Sequence, residues 1–242
     1  MNIIIHRGTH QIGGSAIEIS TASTRIILDF GNELSLDEKY IPINLDIDGV
    51  TKGMPDCDGI VISHYHMDHL GPLTSVFPEI PLYMGELSKE VAMIATEYQD
   101  KNLYLRLLGA NIFRGGEAFT IGDIRIRPLV IDHSAADSYM FVIEAEGKRV
   151  LYTGDFRMHG LRHHVLQKLV NTYIGEVDVL ITEGTSLSRD VDGSISEAAV
   201  LEDISSYIQD GKYVFVMCSS TNIDRIMGIW QNMPTDKVLI CD

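Results

Sequence analysis

Ser63-His64-Tyr65-His66-Met67-Asp68-His69-Leu70-Gly71 packs three imidazoles and a carboxylate into one short stretch, directly after the apolar run Gly59–Ile62. Alternate residues leaving a strand share a side, so His64 and His66 can grip one cation. The turn that follows carries Asp68 and His69 toward a neighbouring position, and one loop can then serve two adjacent metals. Nitrogen and carboxylate donors suit Zn²⁺, with Mn²⁺ or Fe as alternatives. Two later stretches repeat the design. Asp132-His133-Ser134 ends the run Ile124–Ile131, and Thr153-Gly154-Asp155 ends Arg149–Tyr152. Each sets a ligand-type residue at the carboxyl end of a predicted strand.

The elements that must hold these residues are short. Ile- and Val-rich runs at Asn2–Ile5, Ser15–Ser20, Arg25–Asp29, Gly59–Ile62 and Pro81–Tyr83 are broken by Gly, Pro or Asn and read as strands. Helical spacing of apolar residues predicts a helix over Glu86–Leu107. Strands follow at Ile124–Ile131, Tyr139–Ala145 and Arg149–Tyr152, the last two joined by the hairpin signal Glu146-Gly147-Lys148. Leu161–Asn171 reads as a helix and Val177–Thr182 as a buried strand. The polar stretch Asp190–Ser194 marks a domain boundary, dividing residues 1–190 from 191–242. Beyond it lie a helix at Ser196–Gln209, with Ser194 and Glu197 as a capping box, a strand at Lys212–Met217, a helix at Asn222–Gln231 and a strand at Lys237–Cys241. Strands first and α/β alternation afterwards place the chain in the α/β class.

His64-x-His66-x-Asp68-His69, then His133, then Asp155, with Asp29 closing an earlier strand, resembles the metallo-β-lactamase fold superfamily. The resemblance implies an αββα sandwich. It implies that His64, His66 and His133 hold one metal, that Asp68 and His69 hold a second, and that Asp155 bridges them, a two-zinc centre with Mn²⁺ as the alternative. Asp29 takes the supporting role of orienting the loop. No cysteine lies near these motifs, which sets the chain apart from the zinc β-lactamase pattern.

Val150–Arg157 and Ile181-Thr182-Glu183-Gly184-Thr185-Ser186 are similar to the β-CASP metallo-ribonucleases typified by ribonuclease J. The likeness makes Glu183 an acidic residue beside the metals, and Asp68, Asp155 and Glu183 the catalytic carboxylates. Ser134 belongs to the same branch's version of the third motif. Cys218–Arg225 resembles the start of the inserted β-CASP cap domain. There Ser219, Ser220 and Asn222 at a helix start, with Arg225, form a candidate phosphate cradle. The implied activity is hydrolysis of RNA phosphodiesters by a metal-bound hydroxide. A small-molecule thioester or lactone hydrolase and an inactive scaffold homologue are the alternatives. β-CASP nucleases carry further histidines after the cap, whereas no histidine here follows His164. The 242 residues therefore read as a fragment of that architecture.

Composition bounds the rest. The chain is 45% hydrophobic and 22% charged, as in ordinary globular proteins. No apolar run approaches the ~18 residues of a membrane span, and no signal peptide is evident. Three cysteines without paired spacing point to the reducing cytoplasm. A net charge of −15 excludes a generic basic nucleic-acid surface. RNA binding then depends on the metals and a local cradle. Self-association into a homo-oligomer is left open by composition.

Overall fold

The computed structural model describes residues 1–34, 44–187, 195–211 and 213–241. A first sheet runs in the order β1 (Asn2–Arg7), β2 (Ala16–Ser20), β3 (Arg25–Leu28), β4 (Gly59–Val61), β5 (Leu82–Gly85), β6 (Asn111–Phe113). Its first three strands form an antiparallel meander and the rest add in parallel. A second sheet has the order β11 (Val179–Ile181), β10 (Lys148–Tyr152), β9 (Ser138–Ala145), β8 (Ile124–Ile131), β7 (Phe119–Ile121).

Strand periodicity divides the apolar residues between layers. On β9, Phe141 and Ile143 point inward to meet Ile17, Ile19, Ile26 and Leu28 of the first sheet. Met140 and Val142, one residue out of phase, point outward onto Leu169 and Ile174. These belong to α4 (Val165–Leu169) and the π-turn that continues it to Ile174. On the opposite side Ile27, Ile60 and Leu82 cover Leu70, Ala92, Leu103 and Leu107. Those residues come from α1 (Met67–Leu70), α2 (Glu86–Thr96) and α3 (Lys101–Leu108). Helices, sheet, sheet, helices: the expected αββα sandwich is the fold.

Several local expectations change. The single helix over Glu86–Leu107 is two, because Asp100 turns out of helical geometry and its carboxylate caps α3, accepting from Asn102 N at 3.1 Å and Leu103 N at 3.0 Å. Among the described residues the strand at Val177–Thr182 pairs only with β10, so its residues are largely exposed at a sheet edge rather than buried. β6 and β7, three residues each, are too short to announce themselves in the sequence. The hairpin at Glu146-Gly147 is present, with φ of 49° and 69°, the conformation a tight two-residue turn requires.

The boundary stretch Asp190–Ser194 and the capping role of Ser194 lie outside the described residues. The N-cap of α5 (Glu197–Asp210) is Ser196, which accepts from Ala199 N at 3.2 Å. α6 (Ile223–Gln231) pairs with α5 through Leu201, Ile208 and Ile229. The segments at Lys212–Met217 and Lys237–Cys241 join no ladder among the described residues. Phe215 and Ile240 within them are almost fully exposed.

The helix pair is fastened to the sandwich by alternating charges. Arg225 places Nε and Nη2 at 2.7 and 2.8 Å from the buried Glu197 carboxylate, Arg157 reaches Glu197 at 3.5 Å and Asp132 at 3.1 Å, and Arg162 pairs with Asp224 at 2.6 Å. Glu197 N also donates to His159 O at 2.7 Å.

Candidate metal centre

Every expected ligand stands at or just past the carboxyl end of a strand: the His64 loop after β4, His133 after β8, Asp155 after β10. Such ends, where the backbone leaves the sheet, are the usual place for sites in sheets of this kind. The loop is held down by backbone bonds from Gly14 N to Asp68 O, Phe30 N to His69 O and Asn32 N to Met67 O, at 2.8–3.1 Å. Gly31 lies so close beneath that a Cβ there would fall 1.5 Å from Asp68 O, so only glycine fits.

Asp29 organises the floor of the site. Fully buried, it accepts from Ser63 N at 2.6 Å, Ser63 Oγ at 2.8 Å, His69 Nδ1 at 2.7 Å and Tyr152 Oη at 2.5 Å. These bonds fix tautomers. Ser63 spends its hydroxyl hydrogen on Asp29 and so accepts from His64 Nδ1 at 3.0 Å. His64 Nε2 is then a bare lone pair aimed into the site. It stands 3.1 Å from His66 Nδ1, which is 3.2 Å from His133 Nε2. Three nitrogens bound to one zinc at 2.0–2.1 Å would lie about 3.3 Å apart. The spacing fits a cation at their centre.

The other carboxylates face a second position. His69 donates through Nδ1 to Asp29, and its Nε2 lies 3.3 Å from Asp155 Oδ1 and 3.8 Å from Asp68 Oδ2. Asp155 Oδ2 turns the other way, 4.0 Å from His133 Nε2. One carboxylate thus presents an oxygen to each ligand cluster. Among the described residues, two groups of three donors have the mutual spacing of a metal site: His64, His66 and His133, and His64, His69 and Asp155.

Electrostatics prepare the three-imidazole position for a cation, whereas a cation at the second position would displace a proton from His69. Burial, reinforced by the neighbouring rings, pushes His66 down to about 4 and His64 well below the ordinary histidine range. Burial likewise takes His133 down to about 3. All three are neutral, with lone pairs available, at pH 7. Burial opposes charge on His69 too, but Asp29 and Asp155 overcome it and hold the ring well above its usual value. Burial raises Asp68. It works against charge on Asp155 as well, yet His69 keeps that carboxyl below its usual range.

The centre opens on a cavity of about 1150 Å³ whose wall includes Ser134, Glu183 and, beyond the expected set, Arg7 and His159. Glu183 lines the cavity and accepts from Phe156 N at 2.8 Å, next to Asp155. Ser219, Ser220, Asn222 and Arg225 do not line this cavity. Asn222 caps α6 through Arg225 N at 3.3 Å, Ser219 bonds Thr221, and Arg225 is committed to Glu197. In this structure Asn222 and Arg225 serve as a helix cap and an interhelical ion pair.

Sequence reasoning missed Tyr152 and Asp132. Tyr152 reaches Asp29 across 123 residues, a pairing that only the stacking of two sheets creates. Asp132, fully buried beside His133, accepts from Arg157 Nε at 3.1 Å and Arg162 N at 3.0 Å. Its place next to a ligand was the available signal.

Comparison with known proteins bears on this site. The model of the beta-lactamase superfamily domain matches residues 34–204. An RNase J-like protein of Methanocaldococcus jannaschii is 27% identical over 223 residues, covering 87% of this chain and 49% of that protein. Ribonuclease J of Helicobacter pylori is 24% identical over 238 residues, covering 90% of this chain and 33% of the relative. Endoribonuclease YSH1 of Gibberella zeae is 26% identical over 232 residues, 86% and 27% of the two chains. The chain spans half or less of the length of these relatives. A crystal structure of a protein of unknown function from Enterococcus faecalis superposes with a TM-score of 0.81 at 20% identity, over 96% of this chain and 63% of that one, and shares the fold. With its αββα layers and its histidine-aspartate strand ends, the chain belongs to the beta-lactamase superfamily, and its relatives include ribonucleases of the ribonuclease J kind.

Proposed function

We propose that this chain carries the catalytic metal centre of a ribonuclease J-like RNA phosphodiesterase, with zinc at two adjacent positions. The observation that carries the reading is Asp155, whose two oxygens face two separate ligand clusters 3.3 and 4.0 Å away. The relatives named as ribonucleases support RNA as substrate. When bound, two such cations would activate a water near neutral pH and neutralise the charge that develops on a phosphodiester in the transition state.

The chain's own residues do the rest. Asp29 keeps His64 and His69 in the tautomers that present Nε2. Asp68 and Asp155 supply the negative charge that a dinuclear site needs. Glu183 and Asp132 fix the loops after β10 and β8. Ser134 and His159 face the open side, where the substrate phosphate and leaving group would lie. Residues 191–242, with their own small apolar cluster, begin a second domain of the β-CASP kind in this reading. Free cysteines at 57, 218 and 241 accord with a cytoplasmic setting.

The net charge of −15 favours one competing reading, a hydrolase of small thioesters or lactones. Both are tested with the zinc- or manganese-loaded protein on 5′-labelled single-stranded RNA and on a thioester and lactone panel. RNA cleavage that chelation and Asp68→Ala both abolish supports the phosphodiesterase. Turnover of a thioester or lactone with none of RNA transfers the site to the competing class.

A further inference from the structure

Tyr65 sits between the two ligands His64 and His66 yet points the other way, into the apolar layer under the first sheet beside Leu70, Leu73 and Ala135. It is 5% exposed. Its hydroxyl accepts from Ala136 N at 2.9 Å and donates to Thr221 O at 2.6 Å. Ala136 follows His133 by three residues, and Thr221 directly precedes Asn222, the N-cap of α6. One hydroxyl therefore joins three segments: the loop of His64 and His66, the loop of His133, and the backbone that launches α6.

We propose that Tyr65 is a positioning residue that couples the placement of α6 to the cation affinity of the His64–His66–His133 group. The three imidazoles come from two loops, and their 3.1 and 3.2 Å spacings hold only while those loops keep their distance. The Tyr65–Ala136 bond spans the two loops on the side away from the three imidazole nitrogens. The carbonyl of Thr221 sets the direction of the same hydroxyl hydrogen, leaving a lone pair for Ala136 N. The ion pair of Arg162 with Asp224 secures α6 in that position. A shift of α6 would withdraw the Thr221 carbonyl and free the hydroxyl to rotate. Loosening of groups that orient ligands typically weakens metal binding 10–100-fold. The coupling is reciprocal, so a cation held by the three imidazoles also steadies the start of α6.

This inference rests on the metal-centre reading above, and the test separates the two. Zinc is titrated against a competing chelator into the wild-type chain and into Tyr65→Phe, with circular dichroism confirming that the zinc-free variant is folded. The expected result is about a tenfold or greater rise in one zinc dissociation constant, with the other little changed. In parallel, hydrogen exchange of the wild-type chain is expected to show zinc slowing the amides of Ala136 and of Arg225 by about tenfold or more. If the wild type takes up no zinc, the metal-centre reading fails. If it binds zinc but Tyr65→Phe leaves both constants unchanged, the role of Tyr65 alone is overturned. Should the variant not fold, exchange decides: equal rates at both amides with and without zinc overturn the coupling.

Discussion

Replacing Asp29 by asparagine tests how the floor of the site is held. The carboxylate accepts four hydrogen bonds in a fully buried setting, three of them on Oδ2 and one on Oδ1. Asparagine keeps the volume, and it tolerates the left-handed backbone that Asp29 adopts at φ 55°. The change therefore isolates the bonds from backbone strain. The amide nitrogen must face at least one donor, which costs ~1–3 kcal/mol for the unsatisfied pair. The remaining bonds lose their charge assistance at ~1 kcal/mol each. Removing a buried charge returns part of this, so about 3–5 kcal/mol of stability should be lost. For a chain of this size that is roughly a 10 °C drop in Tm. Urea unfolding of the zinc-free protein, wild type against Asp29→Asn, reads the difference directly. A change below about 1 kcal/mol would show that these four bonds do not carry the floor of the site.

Two further outcomes follow from the charges. Folded His66 and His133 titrate near 4 and 3 and His64 lies well below 6.5, whereas the unfolded chain protonates all three near pH 6.5. Stability is then present above pH 6.5 and falls as pH drops toward 4. His69, raised instead, contributes fully below 6.5 and loses its contribution only at higher pH, so it does not offset the fall. Melting in the presence of a chelator should give a lower Tm at pH 5 than at pH 7, and the reverse order would contradict the assignment. Arg225→Ala should destabilise the α5–α6 pair by about 2–3 kcal/mol. It leaves the Glu197 side chain, 1% exposed, with only Arg157 at 3.5 Å. Faster amide exchange confined to these helices checks it, and an unchanged pattern would contradict it.

What the sequence disclosed and what it hid divide by range. His64, His66, Asp68 and His69 lie within six residues, so their clustering is visible from spacing alone. His133 and Asp155 were legible because each closes an apolar strand. The layers were legible too, because alternation on β9 sends Phe141 and Met140 to opposite faces. Interactions created only by tertiary packing left no local trace: Tyr152 on Asp29, Tyr65 on Thr221, Arg225 on Glu197. The pairing of Arg225 with Glu197 is one of these, since an arginine after a Ser-Ser-Thr-Asn helix start looks the same whether it meets a phosphate or a buried glutamate. Asp100 misled in another way, its cap interrupting an apolar rhythm that runs on through both helices.

In the proposed centre, six side chains on three strand ends and one short helix bind two divalent cations. Zinc content after dialysis of the purified chain against buffered low-micromolar zinc tests it most directly, with His64→Ala measured alongside because its Nε2 belongs to the three-imidazole position. Two zinc ions are expected per wild-type chain and no more than one in His64→Ala. Less than one per wild-type chain, or two retained by the variant, would contradict it.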